Sequence, residues 1–236
     1  HATNTKSNIA ENDHLYQYID SPKAQKLLVK NLLQQNAVCF DTETTSLNEL
    51  EAELIGMSFS YKKGLAYYIP LSENREEVLE TLEIFRPLFE KEEILKVAHN
   101  LKFDYKILKR YGIEVQGAIF DTMIAHYLLN PDGRHGMDYL SEIYLNYKPV
   151  SIETLIGKGK NQVTLREISV EEQTNYAAED ADITWQLYEL FAPQLQKENL
   201  QDLFYKVEMP LMKVLAKMEL EGVSLDKSWL EQESKD

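Results

Sequence analysis

The stretch Ala37-Val38-Cys39-Phe40-Asp41-Thr42-Glu43-Thr44 decides how this chain is read. An unbroken apolar run, rich in β-formers, stops on two carboxylates. Such a run reads as a central strand covered on both faces. Asp41 and Glu43 are two apart at the strand end, so their side chains point to the same side of the sheet. An ionised carboxylate taken out of water is costly, and two together repel. A bound divalent cation is the natural compensation, and it points to metal-dependent phosphodiester cleavage. A lone Asp-x-Glu is common, however, and equally describes a turn after a strand.

Working outward, Leu54–Tyr61 reads as a second strand, with Ile55, Met57, Phe59 and Tyr61 on one face. Lys62-Lys63-Gly64 makes a turn, and Leu65–Ile69 returns as a third strand. Upstream, Leu15–Ile19 has the pattern of a short strand, and Pro22 suits the first turn of a helix reaching Gln35. Downstream the pattern alternates: helix Arg75–Glu90, strand Ile94–Ala98, helix Leu101–Tyr111, strand Ala118–Phe120, helix Thr122–Leu129. Pro131, Gly133 and Gly136 mark a loop, and shorter helices follow. A long helix then spans Val170 to about Asn199, opened by a Ser169/Glu172 capping box, with Pro193 as a kink or early stop. A meander followed by alternating helices and strands is an α/β fold, a mixed sheet flanked by helices.

Two further acids interrupt apolar helix stripes. Asn100, Asp104, Ile107, Leu108 and Tyr111 share one face at three-and-four spacing. Tyr176 and Asp180 are four apart, and Ile183, Leu187 and Leu190 continue their face. Each acid alone also fits a structural carboxylate paired with a cation, Tyr176 a core tyrosine, and Asn100 a helix N-cap. Glu179 flanks its stripe and Asp182 lies off it, so neither is assigned to the site. Asp121, ahead of Thr122, reads as an N-cap. The five histidines show no zinc spacing, and His126 reads as a packed helix residue. No phosphate-binding glycine loop, dinucleotide turn or serine-nucleophile motif is present.

The chain has 236 residues, 44% of them hydrophobic, enough for one large domain or a domain plus part of another. No stretch approaches the ~20 apolar residues that span a membrane. The single Cys39 excludes an internal disulfide and suits a reducing cytosol. A net charge of -14 argues against long, tight, non-specific duplex binding. It leaves room for a nucleic-acid enzyme whose metal ions supply positive charge at the reacting phosphate. The one conspicuous basic loop, Gly157–Gln162 (GKGKNQ), reads as a solvated loop or a backbone-phosphate contact.

FDTET, NLKFDY and YAAED resemble the three ordered motifs of the DEDD exonuclease superfamily, in the subgroup with a tyrosine in the third motif. The likeness extends through GMSFS, YYIP, KVAHNLKFDY, FDTMIAHYLLN, GRHGMDYL and GKGKNQVT to the 3′–5′ proofreading domain of bacterial family A DNA polymerases. The tail VEMPLMKVLAKMELEGVSLD resembles the opening of the polymerase domain in that family.

The resemblance implies a ribonuclease H-like fold and a two-metal mechanism with Mg²⁺ or Mn²⁺, Zn²⁺ also being admissible. It implies that Asp41 bridges both ions, that Glu43 and Asp180 complete one shell, and that Asp104 holds the other ion largely through water. Tyr176 with Glu43 would orient the attacking water. Leu47, Asn100, Phe103, Arg134 and Leu165 match positions that hold a single-stranded DNA 3′ end. Two departures stand out: His99 replaces the usual Gln, and Leu165 replaces an aromatic. The expected organisation is a disordered tail over 1–14, an exonuclease domain over 15–206, and the opening of a polymerase domain over 207–236. That polymerase domain would be the partner in cis of a cytoplasmic, monomeric protein with no membrane association. A ribonuclease D-type RNA exonuclease and a catalytically silent scaffold are the alternatives; the polymerase-like tail opposes the first, and the complete acid set opposes the second.

Overall fold

The structure is a computed structural model that describes residues 6–159 and 162–234. Six strands form one sheet in the order β1-β4-β3-β2-β5-β6: β1 Leu15–Tyr18, β2 Ala37–Thr44, β3 Leu54–Lys62, β4 Leu65–Pro70, β5 Leu95–Ala98 and β6 Ile119–Asp121. β3 pairs antiparallel with β2 and β4, whereas the β1/β4, β2/β5 and β5/β6 pairs are parallel. β3 therefore runs against the other five, whose C-terminal ends meet along one edge. That is the expected mixed sheet, an antiparallel meander extended by parallel strands.

Helices α1 (Pro22–Leu32) and α2 (Arg75–Glu90) pack together. Between α2 and the sheet lies an aromatic cluster. Phe59 stacks on Phe85 at 5.1 Å, and Phe40 meets Phe89 edge-on at 5.2 Å. All four rings are buried, each contributing on the order of 2–3 kcal/mol of apolar transfer. Helices α3 (Leu101–Arg110), α4 (Thr122–Leu129), α5 (Met137–Tyr144) and α6 (Ile152–Ile156) follow the parallel strands. The long α7 (Val170–Lys197) crosses β1 to β5. Ser169 and Glu172 form its capping box as the sequence indicates. Pro193 does not end it; the helix runs on to Lys197.

One expectation is corrected, and two further features go beyond the sequence reading. Residues 6–14 of the expected disordered tail are structured. Asn8 caps a 3-10 turn at Ile9–Glu11, and Ser7 pairs with the 146–148 segment through its backbone N–H and C=O. Backbone pairing across a long sequence separation leaves no trace in local composition. The segment after Lys206 packs within this chain. Short α8 (Gln201–Leu203) leads through a π turn (Phe204–Glu208) into α9 (Met209–Glu221), which packs on α3. Met209, Met212 and Ala216 are buried, and Glu219 pairs with Lys102 and Lys106. Lastly, Asn100 does not cap α3 with its side chain; it sits in the left-handed region (φ 60°). The Asp121 carboxylate accepts the backbone N–H groups of Asn100 and Leu101, and also those of Met123 and Ile124 in α4. One buried acid thus caps two helices. Helix α10 (Lys227–Glu233) completes the chain. Among the described residues, no helix is long and apolar enough to cross a membrane.

Candidate active site

β2 carries the site because it outruns its neighbour. Its pairing with β5 covers Ala37 to Cys39, so Asp41 to Thr44 project past the end of β5. A register shift follows at Glu43/Thr44, the kind of bulge that re-aims side chains beside functional clefts. Across the ladder, Glu43 stands opposite Gly56. A Cβ at Gly56 would lie 2.4 Å from the Tyr68 ring, so only glycine lets that ring close over the strand beside Glu43.

Asp41, Glu43 and Asp180 each place a carboxylate oxygen within 4.8 Å of the others. Asp180 comes from α7, which packs on β2, so a strand and a helix together supply the trio. Asp104, from the first turn of α3, stands outside this trio. Its Oδ1 accepts the backbone N–H of Thr42 at 3.2 Å and also the Thr42 hydroxyl. Tyr176 sits one turn before Asp180 and faces it, Glu43 and Asp41.

Burial raises the pKa of all four acids. Asp41 is pushed up to about 7, moderated by a hydrogen bond from the Thr42 backbone. Glu43, Asp104 and Asp180 are raised well above the usual carboxylate range, first by burial and then by the charge of Asp41. Burial, and then Asp180, also raises the Tyr176 phenol far above its ordinary value.

Glu179 and Asp182 show the contrast. Glu179 accepts the Tyr147 hydroxyl and the Val150 N–H; Asp182 accepts the Tyr16 hydroxyl at 2.8 Å and the Gly64 N–H at 2.9 Å. Those are structural acids with partners. In the trio, Glu43 Oε1 is buried with no hydrogen bond. Among the described residues, no Lys or Arg forms an ion pair with Asp41, Glu43, Asp104 or Asp180. An oxygen-rich, cation-free, partly orphaned donor set fits a hard divalent cation.

A cleft of about 650 Å³ opens over the trio, lined also by Leu47, Phe103, Leu165 and Tyr176. A second recess joins it, lined by Asp41, Asp104, His99, Asn100, Phe103 and Gly136. Leu47 is exposed, Phe103 half-buried and Leu165 buried. The sequence-derived positions Leu47, Asn100, Phe103 and Leu165 therefore border the acids. Arg134 lines neither space; it is exposed, with its guanidinium 5.8 Å over the Tyr139 ring. In the basic loop, Gly159 and Gln162 line the cleft and Lys158 pairs with Glu153, while Lys160 and Asn161 lie outside the described residues. Sequence reasoning missed Thr42. It sits between the two acids of β2 on the other strand face, where nothing in the periodicity distinguishes it.

The family model described as 3′-5′ exonuclease matches residues 16–196. DNA polymerase I of Rhizobium leguminosarum is 39% identical over 217 residues, covering 82% of this chain and 21% of the relative. DNA polymerase I of Borreliella burgdorferi is 39% identical over 206 residues, covering 86% and 22%. The chain thus spans about a fifth of the length of these curated relatives. Among solved structures, Brucella melitensis NrnC with bound Mg²⁺ shares the fold. Its TM-score is 0.69 at 21% identity, covering 89% of this chain and 95% of that one. The chain belongs to the 3′-5′ exonuclease family, in the form carried by DNA polymerase I.

Proposed function

We propose that this domain hydrolyses DNA from its 3′ end, releasing nucleoside 5′-monophosphates from single-stranded or mismatched termini. The carrying observation is the trio of Asp41, Glu43 and Asp180, with its buried, unpartnered Glu43 oxygen and no protein cation to balance it. Asp41, Glu43 and Asp180 would hold one divalent ion, and Asp41 with Asp104 a second, Mg²⁺ or Mn²⁺. When bound, the ions lower the pKa of water and stabilise charge on the attacking and leaving oxygens.

The remaining work falls to the chain itself. Tyr176 and Glu43 orient the attacking water. Thr42 fixes the Asp104 carboxylate through two hydrogen bonds. Leu47 and Phe103 offer apolar surface at the cleft mouth, where unpaired bases stack or are wedged apart. Asn100 keeps its side chain free of capping, and it borders the recess beside Asp104. Leu165 packs the cleft wall, and Arg134, exposed outside both spaces, would contact a phosphate only along the loop side of the DNA strand. In the whole protein, residues 15–206 form the exonuclease unit and 207–236 begin a polymerase domain, working in the cytoplasm as a monomer.

The test is a gel assay of 5′-labelled DNA and RNA oligomers in Mg²⁺, Mn²⁺ or EDTA. The reading requires a ladder that shortens from the 3′ end, needs metal and favours DNA. Equal or faster shortening of RNA would turn it toward an RNA exonuclease, and no shortening in any metal toward a scaffold.

A further inference from the structure

We propose that His126 and His135 together anchor the 131–136 loop that carries Arg134, making His126 a positioning residue for 3′-end binding. This rests on the exonuclease reading above. The loop joins α4 to α5 and folds directly over His126: a Cβ on Gly133 would lie 3.2 Å from the His126 ring. His126 is 1% exposed, although it is an ionisable side chain on a helix. Its Nδ1 meets Nδ1 of His135 at 2.7 Å, and its Nε2 meets the Tyr144 hydroxyl at 3.0 Å. The ring also packs against Phe191 at 5.5 Å. One side chain therefore joins α4, the loop, α5 and α7.

The loop in turn shapes the recess. The His135 backbone lies beside the His99 ring, whose Nδ1 bonds Thr122 Oγ1 at 2.8 Å. His99 and Gly136 line the recess together with Asp41 and Asp104. Arg134, next to His135, forms no ion pair among the described residues, although the chain carries 39 acids. Exposed outside both spaces, with its guanidinium over the Tyr139 ring and no acidic partner among the described residues, Arg134 is suited to a phosphate that approaches the loop. Its aim depends on where His126 holds the loop.

The contact between two Nδ1 atoms carries one proton: one ring donates and the other accepts. With a further proton on the accepting Nδ1, two N–H groups face each other and the bond is lost. The groups that face the pair are His99, Tyr144 and Tyr127, the last edge-on to His135 at 5.5 Å, and among the described residues no carboxylate hydrogen-bonds to either ring. Burial, then the His135 charge, lowers the His126 pKa. The anchor therefore holds at neutral pH and releases as pH falls below the ordinary histidine range of about 6.5.

The experiment compares the parent with His126→Phe, which keeps the aromatic packing, and with His135→Asn, which spares the core. Hydrogen–deuterium exchange of residues 131–136 is followed in EDTA, and KM and kcat are measured on a single-stranded DNA oligomer. Both variants are expected to exchange faster in the loop and to raise KM roughly three- to tenfold, the range for one hydrogen bond, with kcat changed less than about twofold. In an Arg134→Ala background, His126→Phe should add nothing to KM, because the residue it positions is gone. The parent loop should keep its protection from about pH 7.5 down to the ordinary histidine value of about 6.5 and lose it only below that, and the variants should not show this change. Unchanged exchange in both variants overturns the anchor. Faster exchange with unchanged KM, or an undiminished KM effect in the Arg134→Ala background, overturns the positioning role. A parent that shortens no DNA overturns the exonuclease reading instead, and the exchange measurement still decides the anchor.

Discussion

Thr42 grips Asp104 twice: its backbone N–H and its hydroxyl both donate to the same carboxylate oxygen. The backbone donor is free for this because β5 ends its pairing at Cys39. Thr42→Val keeps the shape and the backbone bond but deletes the hydroxyl. The expected outcome is a kcat reduced about three- to tenfold, the size of one orienting hydrogen bond, with KM nearly constant. Asp104→Asn should cost far more. Steady-state kinetics of both variants in Mg²⁺ checks the order; a Thr42→Val enzyme as slow as Asp104→Asn would contradict it.

The acid trio and Tyr176 should separate by role. Asp41→Ala and Asp180→Ala each remove a direct ligand and are expected to lower the rate by several orders of magnitude. Tyr176→Phe removes an orienting hydroxyl worth on the order of 1–3 kcal/mol, so its loss should be about five- to 160-fold. An Asp41→Ala protein close to parental activity sinks the two-metal mechanism.

Much of this was legible because the site interrupts strong patterns. The run before Asp41 and the stripes around Asp104 and Asp180 leave an acid where a core residue belongs, and β2, α3 and α7 deliver those acids to the cleft and the recess that shares Asp41 with it. Helix α2 and helix α4 have the bounds their periodicity and caps indicate. What escaped was relational. Asp121 looks like a local cap, yet it serves α3 across the sheet end as well, which no local spacing encodes. Ser7 pairing with Tyr147 and α9 packing on α3 depend on distant partners in the same way. Thr42 and His126 are ordinary residues until the fold sets a carboxylate and a second imidazole beside them.

Ending the chain at Lys206 is expected to be a stability lesion rather than a silent trimming. It uncovers the α3 face that Met209, Met212 and Ala216 bury and, among the described residues, leaves buried Lys106 with Glu49 as its one acidic partner. Loss of two buried methionines alone, about 3–6 kcal/mol, predicts a Tm drop of about 6–24 °C for a domain of this size. Because α9 contributes no residue to the cleft over the trio, the exonuclease rate well below the new Tm should stay within about threefold of the parent. Calorimetry of the truncated protein tests the first part, and an unchanged Tm would refute the docked α9.

The cluster also fixes how stability depends on pH and metal. Asp41 has its folded pKa raised to about 7, and Glu43, Asp104 and Asp180 are raised as well. A raised carboxylate pKa means the native state binds more protons than the unfolded chain between the unfolded value near 4 and the folded value. Without metal, stability should therefore fall as pH rises across that window, so Tm in EDTA should be higher at about pH 5.5 than at about pH 8. Divalent metal needs deprotonated ligands and binds only the folded cluster, so in excess Mn²⁺ the Tm gain should be larger at the higher pH. Asp180→Asn removes one repelling charge. It is expected to melt at or above the parent in EDTA at pH 8 and to gain much less from Mn²⁺. Were Asp180 instead balanced by a buried cation, its removal would strand that cation and destabilise the fold by roughly 3–5 kcal/mol. Thermal scans of both proteins at the two pH values, with EDTA or Mn²⁺, separate these outcomes, and a variant clearly less stable than the parent in EDTA at pH 8 rules out a cluster of unbalanced acids.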